Sequence, residues 1–94
     1  MLSAPPVPVD QAARLFGLLA DETRLRLLLR LAEGKDVPVT ALAEGFGLSQ
    51  SALSHHLQRL RLARAITCRR EGHNNFYALA PGPVRDLLFQ YVRA

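Results

Sequence analysis

From Gln11 to Ala20 the apolar residues Ala12, Leu15, Phe16, Leu19 and Ala20 recur at the i, i+3, i+4, i+7, i+8 spacing of one helix face. Asp21 then stands where an N-cap belongs, and the pattern predicts a second helix through about Ala32. Its expected inner face is Leu25, Leu28, Leu29 and Ala32, with Leu27 and Leu31 widening the apolar arc. Gly34 closes that helix, and Gly34 to Pro38 reads as a connecting loop. A short third helix is expected from about Val39 to Phe46, with Leu42, Ala43 and Phe46 inward, ending at Gly47, a residue suited to a left-handed turn. Ser49 can cap a fourth helix running from Gln50 to about Ala63. Ile66–Arg70 and Asn75–Leu79 are strand-like runs around Glu71-Gly72-His73-Asn74, which reads as a hairpin. Val84, Leu87, Leu88, Tyr91 and Val92 form a last helical stripe, entered through Pro81-Gly82-Pro83. The predicted fold is mainly α: five helices, with a two-stranded hairpin between the fourth and fifth.

The chain of 94 residues is 49% hydrophobic and 6% aromatic, the balance of one small globular domain and not of a disordered tail. A monomer of this size buries only about 60–65% of its unfolded surface, so a stabilising partner subunit is in keeping with its length. A single cysteine, Cys68, excludes an intramolecular disulfide framework. No run approaches the ~18 consecutive apolar residues of a membrane span. Residues 1–8, Pro-rich and without a basic or long apolar segment, read as an arm and not as a signal peptide. The expected organisation is this arm followed by one domain over residues 9–94, with the cytoplasm as its address.

The net charge of +4 is unevenly placed. Between residues 49 and 75, Arg59, Arg61, Arg64, Arg69 and Arg70 face one acid, Glu71, while elsewhere bases and acids balance at seven each. Such a stretch attracts a polyanion through counterion release, although a solvated basic face has the same composition. The pattern within the stretch separates the two readings. At 100° per residue, Leu53, His56, Leu57 and Leu60 share one side of the fourth helix, and Gln50, Ser51, Ser54, His55 and Gln58 lie roughly opposite. The second set carries amide and hydroxyl groups and no carboxylate, which suits a helix meeting base edges in a major groove. The spacing Ala43, Gly47, Leu53 supplies the close contact, the turn and the apolar anchor of a helix-turn-helix.

A longer string is more specific. Leu19-Ala-Asp-Glu-Thr-Arg-Leu-Arg-Leu-Leu-Leu, Leu42-Ala-Glu, Leu48-Ser-Gln-Ser-Ala-Leu-Ser-His-His-Leu, Arg69-Arg-Glu-Gly and Phe76-Tyr-Ala-Leu, in that order, resemble the ArsR/SmtB family of small dimeric winged-helix repressors. The resemblance spans about Leu15 to Leu79. It implies a winged helix-turn-helix in which the fourth helix reads DNA, the hairpin is the wing, and the first and last helices form a homodimer. Gln50, Ser51, Ser54 and His55 would then meet bases or nearby phosphates, and Ser49 would also place the helix N-terminus near a phosphate. Arg69, Arg70, His73 and Asn74 would meet the backbone or minor groove from the wing, and Arg59 would join the phosphate footprint or cover the helix's outer side. Double-stranded DNA carrying an inverted repeat is the implied partner.

The resemblance also tells where a sensor would sit. The arsenic-type Cys-Val-Cys triplet is replaced by Pro38-Val39-Thr40, and the Asp and His of the zinc-type site on the last helix by Pro81 and Pro83. No metal ligands, no cofactor and no named inducer are therefore expected. His55 and His56 point about 100° apart on a helix and cannot chelate one ion together. His56, on the leucine face, reads as a packed histidine holding a neighbouring backbone carbonyl. Cys68 shares a strand face with Ile66; it is read as a buried inert thiol, with a redox-sensitive thiol on the wing as the sharper alternative. Where relatives carry Ala-Gly after the recognition helix, this chain has Ala63-Arg64. Either the turn differs or the chain accepts strain on the order of 1 kcal/mol.

The expected function is a sequence-specific DNA-binding repressor. A winged helix used for protein contact or for non-specific DNA association is the alternative. No Gly-rich phosphate loop, metal cluster or convergent carboxylate pair supports an enzyme, and neighbouring Ser54, His55 and His56 do not face one another on a helix.

Overall fold

The computed structural model describes residues 5–93, so residues 1–4 of the expected arm lie outside the described residues. Its elements run α1 (Val9–Leu19), α2 (Glu22–Leu31), β1 (Val37–Pro38), α3 (Val39–Phe46), α4 (Gln50–Leu62), β2 (Ile66–Glu71), β3 (Asn74–Leu79) and α5 (Pro83–Tyr91). The expected helices and the hairpin are present in the expected order, and the architecture is a winged helix-turn-helix.

Local chemistry sets the helix boundaries. The Asp21 carboxylate accepts a 2.9 Å bond from the Arg24 backbone N–H and so caps α2, while Ser49 Oγ accepts from the Ala52 N–H at 3.1 Å and caps α4. Gly47 ends α3 at φ 61°, a left-handed conformation that costs glycine nothing. That turn swings the chain from α3 into α4.

The sheet departs from expectation. Val37 and Pro38, read above as loop, pair antiparallel with Tyr77 and Phe76, giving the strand order β1-β3-β2. Two residues are too few to show a period of two, and their partner lies far along the chain, so no local pattern announces this strand. Gly72 takes φ 63° at the first position of a two-residue hairpin loop, and His73 keeps a negative φ, the arrangement of a type II′ turn.

The core is leucine. Leu27, Leu28, Leu31, Leu42, Leu53, Leu57 and Leu60 are fully buried, and no polar or charged residue is buried among the described residues. Each such side chain contributes about 1.5–3 kcal/mol relative to exposure. On α2 the inward stripe is Leu27, Leu28 and Leu31, with Leu25 and Leu29 only half-buried, a rotation from the expected face. With leucine at five of the ten α2 positions, periodicity alone does not single out one side. Tyr91, placed by its spacing on an apolar stripe of α5, is largely exposed, whereas Val84 and Leu88 are buried.

The end of α4 resolves the choice left open at Arg64. The Ala65 N–H bonds to the Leu60 carbonyl at 3.0 Å and the Arg64 N–H to the Arg61 carbonyl at 2.9 Å, the paired bonds of a Schellman motif. Arg64 holds the left-handed position at φ 59° and is the single non-glycine residue with positive φ among the described residues. The chain makes the left-handed turn with a non-glycine residue and accepts the strain.

Candidate nucleic-acid interface

Helix α4 is held from beneath by Leu53, Leu57 and Leu60 and presents Gln50, Ser51, Ser54, His55 and Gln58 to solvent. Because the leucines fix the rotation of the helix, the polar face is fixed as well. No acid occurs between Glu44 and Glu71, so this face meets an approaching phosphate without local repulsion. Ser49 satisfies one N–H of the first turn and leaves others there for an outside acceptor.

Arg59 stands apart from this set. It projects about 180° from Gln50 and 140° from Ser54 around the helix axis. There it lines a groove with residues of α1 and α2, on another side of the helix from Gln50 and Ser54.

The two wing arginines differ sharply. Arg69 forms a 3.0 Å pair with Asp36 and a second pair with Glu71, and its guanidinium lies 4.8 Å from the centroid of the Phe76 ring. Glu71 first and Asp36 second raise its pKa above the ordinary arginine value. Arg70 makes one 3.2 Å bond, Nε donating to the Gly72 carbonyl, and is otherwise open to solvent. His73 and Asn74, exposed at the tip, complete the wing residues named by the sequence. The engagement of Arg69 by Asp36 has no sequence signal, because the two residues are remote along the chain and meet only once β1 joins the sheet.

Cys68 is half-buried, packed against the core opposite Tyr77 of β3. Burial first, and the adjoining Cys68 side chain second, push the Tyr77 hydroxyl above its ordinary pKa of 10.0. His56 is half-buried as expected, but its buried Nδ1 has no hydrogen-bond partner among the described residues, so the expected bond to a backbone carbonyl is not formed. The His55 and His56 rings lie 6.3 Å apart at 61°. Asp21 has its pKa lowered, chiefly by the Arg24 N–H, with Arg24 and His56 adding smaller attractions. Among the described residues no three His, Cys, Asp or Glu side chains converge on one point, and no helix is long and apolar enough to cross a membrane.

Comparison with known proteins adds family context. A model of a helix-turn-helix domain matches residues 19–69. The HTH-type transcriptional regulator KmtR of Mycobacterium tuberculosis is 39% identical over 90 residues, covering 93% of this chain and 68% of the relative. A transcriptional repressor SmtB homolog from Synechocystis is 43% identical over 78 residues, 83% of this chain and 58% of the relative's length. Among solved structures, the homodimeric winged helix-turn-helix DNA-binding domain of a possible ArsR-family transcriptional regulator from Mycobacterium bovis superposes with a TM-score of 0.77. It is 34% identical over 86% of this chain and 74% of that one.

Proposed function

The chain belongs to the ArsR/SmtB family of winged helix-turn-helix transcriptional regulators, and from that premise we propose that it is a repressor reading an inverted-repeat operator as a homodimer. The observation that carries this reading is the exposed, acid-free amide and hydroxyl face of α4, fixed in rotation by a row of buried leucines. Gln50, Ser51, Ser54 and His55 are assigned to bases and nearby phosphates, and Ser49 with the first turn of α4 to a phosphate. Arg70, His73 and Asn74 are assigned to the backbone beside the wing. Arg69 braces the wing and gives the DNA a screened charge at most, since its guanidinium already serves two carboxylates.

The domain proper is taken as residues 9–94, following the arm over 1–8. Homodimerisation through α1 and α5 is supported by large apolar side chains left in solvent on both helices. Val9 is 86% exposed, Phe16 60%, Phe89 59% and Tyr91 83%, and a second copy covering them removes that apolar area from water. In place of the family's metal ligands stand Pro38-Val39-Thr40, Pro81 and Pro83, so we assign no metal, cofactor or catalytic role. A cytoplasmic address follows from an operator as target.

Selection of random duplex DNA by the purified protein at near-physiological salt tests the reading. A two-fold symmetric motif with half-sites about one helical turn apart is the expected result. A folded dimer that enriches no motif overturns base reading and leaves non-specific association or protein contact as the role of the α4 face.

A further inference from the structure

A half-open groove of about 1040 Å³ lies between α1, the N-terminal turn of α2, the C-terminal end of α4 and Pro83 at the start of α5. Its volume lies at the upper end of the usual range of small-molecule sites, about 300–1,000 Å³. Leu15, Leu18 and Leu62 give it apolar walls. Its charged lining consists of Arg14, Arg24, Arg59 and Arg64, with no carboxylate.

Two of these four cations lack internal partners and the other two are engaged only in part. Arg59 and Arg64 have no side-chain hydrogen bond or ion pair among the described residues. Arg14 meets Asp10 at 3.5 Å with both side chains 72% exposed, an arrangement that contributes little and yields readily to a better anion. Arg24 donates from Nε to the Leu18 carbonyl at 2.7 Å, which fixes its guanidinium at the groove wall. Arg64 adds a second observation. The chain retains a cation at a left-handed position where glycine costs less, and strain kept in this way marks a residue held for what its side chain does.

The groove borders α1 and the start of α5 but opens on another side of α1 from the exposed residues assigned to the second copy. On α1, Gln11, Arg14 and Leu18 fall within about 60° of one another, whereas Val9 and Phe16 project from the opposite side. None of the exposed apolar residues Val9, Phe16, Phe89 and Tyr91 lines the groove. On α4, Arg59 points away from Gln50 and Ser54.

We propose that this groove binds a single-chain amphiphile with a carboxylate head, of the fatty-acid type. The head is held by Arg59 and Arg64 through charge-assisted hydrogen bonds, with Arg14 and Arg24 adding field, and the chain lies on Leu15, Leu18 and Leu62. The inference does not depend on the DNA reading, because uptake is measured without DNA.

The test is calorimetric titration of the full chain with dodecanoate below its micelle concentration. Dodecanol and dodecyltrimethylammonium serve as neutral and cationic controls, and dodecyl phosphate as a second anionic head. Saturable uptake of one dodecanoate per protomer is expected, with both controls weaker by about tenfold or more. Arg64→Gly, which suits the left-handed turn and so preserves the fold, weakens dodecanoate about tenfold while raising Tm; Arg14→Gln weakens it less. Tighter binding of the phosphate head than of the carboxylate overturns the choice of head. Equal binding of dodecanol, or unchanged affinity in both variants, overturns the site. A dimer that takes up no dodecanoate overturns it too, and shows the groove closed by the second copy. Failure of uptake together with reduced DNA affinity in Arg64→Gly assigns the cations to the DNA backbone instead.

Discussion

The two ends of α4 are built on opposite terms. At its start every local rule is obeyed: Ser49 caps the helix, Gly47 takes the left-handed turn before it, and the exposed residues Gln50, Ser51 and Ser54 are polar and carry no carboxylate. At its end the rule is broken, since Arg64 occupies the glycine position of a Schellman motif and stands with Arg59 over a basic groove. One helix therefore offers a relaxed face suited to hydrogen-bond discrimination and a strained end suited to attracting charge. The difference teaches that preferences of the backbone are satisfied where geometry must be accurate. They are overridden where a cation is wanted more than about 1 kcal/mol of stability.

Replacing Gln50 and Ser54 together by Ala attacks the relaxed end and has the largest expected effect. Affinity for the selected operator falls by on the order of 100-fold or more, about 1–3 kcal/mol for each base that is no longer read. Affinity for random duplex changes little. Equal weakening on both DNAs in a filter-binding or anisotropy titration breaks the comparison at that end. The two termini are next compared through stability. Ser49→Ala lowers it by about 1 kcal/mol because the cap is removed. Arg64→Gly raises it by about the same amount, which for a domain of this size shifts Tm upward by about 4–8 °C. Thermal melts that move in the same direction for both variants contradict the account of strain.

The wing supplies a smaller contrast of the same kind. Arg70→Ala reduces the slope of log affinity against log salt by about one unit. Arg69→Ala leaves that slope nearly unchanged and instead loosens the hairpin, seen as faster amide exchange at β1. The smallest effect belongs to the cap of α2. Its folded-state pKa is depressed below the ordinary 3.8, so the carboxylate of Asp21 stabilises the fold fully above that value. The contribution disappears as pH falls from 3.8 through the lower folded value. Asp21→Asn removes this segment of the acid-unfolding profile while leaving the neutral-pH profile almost unaltered, because Asn also caps.

What could be read from the chain alone follows from how local each signal is. Helices α3 and α4 and the hairpin were legible because caps, turn glycines and apolar spacing all lie within a few residues of the feature they define. The rotation of α2 was not, since leucine on several sides of a helix leaves tertiary packing to choose the buried one. Strand β1 and the Asp36–Arg69 pair were hidden for a different reason: both depend on the meeting of distant parts of the chain. At the candidate site, the polar set on α4 was visible because its opposite side is so clearly apolar. The basic groove was not visible, as its arginines come from three helices and the turn after α4 and share no spacing. Arg64 was visible only as a residue standing where relatives have glycine, and the structure supplied the conformation.

The register of the sheet has a mechanical consequence. Strand β1 supports β3 only at Phe76 and Tyr77, and Arg69, opposite Phe76, is bolted to Asp36 at the same level. Beyond that clamp the hairpin overhangs by two residue pairs, Arg70 with Asn75 and Glu71 with Asn74, about 7 Å of ribbon before the turn. A beam so short bends little. On the proposed function, the wing tip reaches the DNA already aimed and surrenders little orientational freedom there.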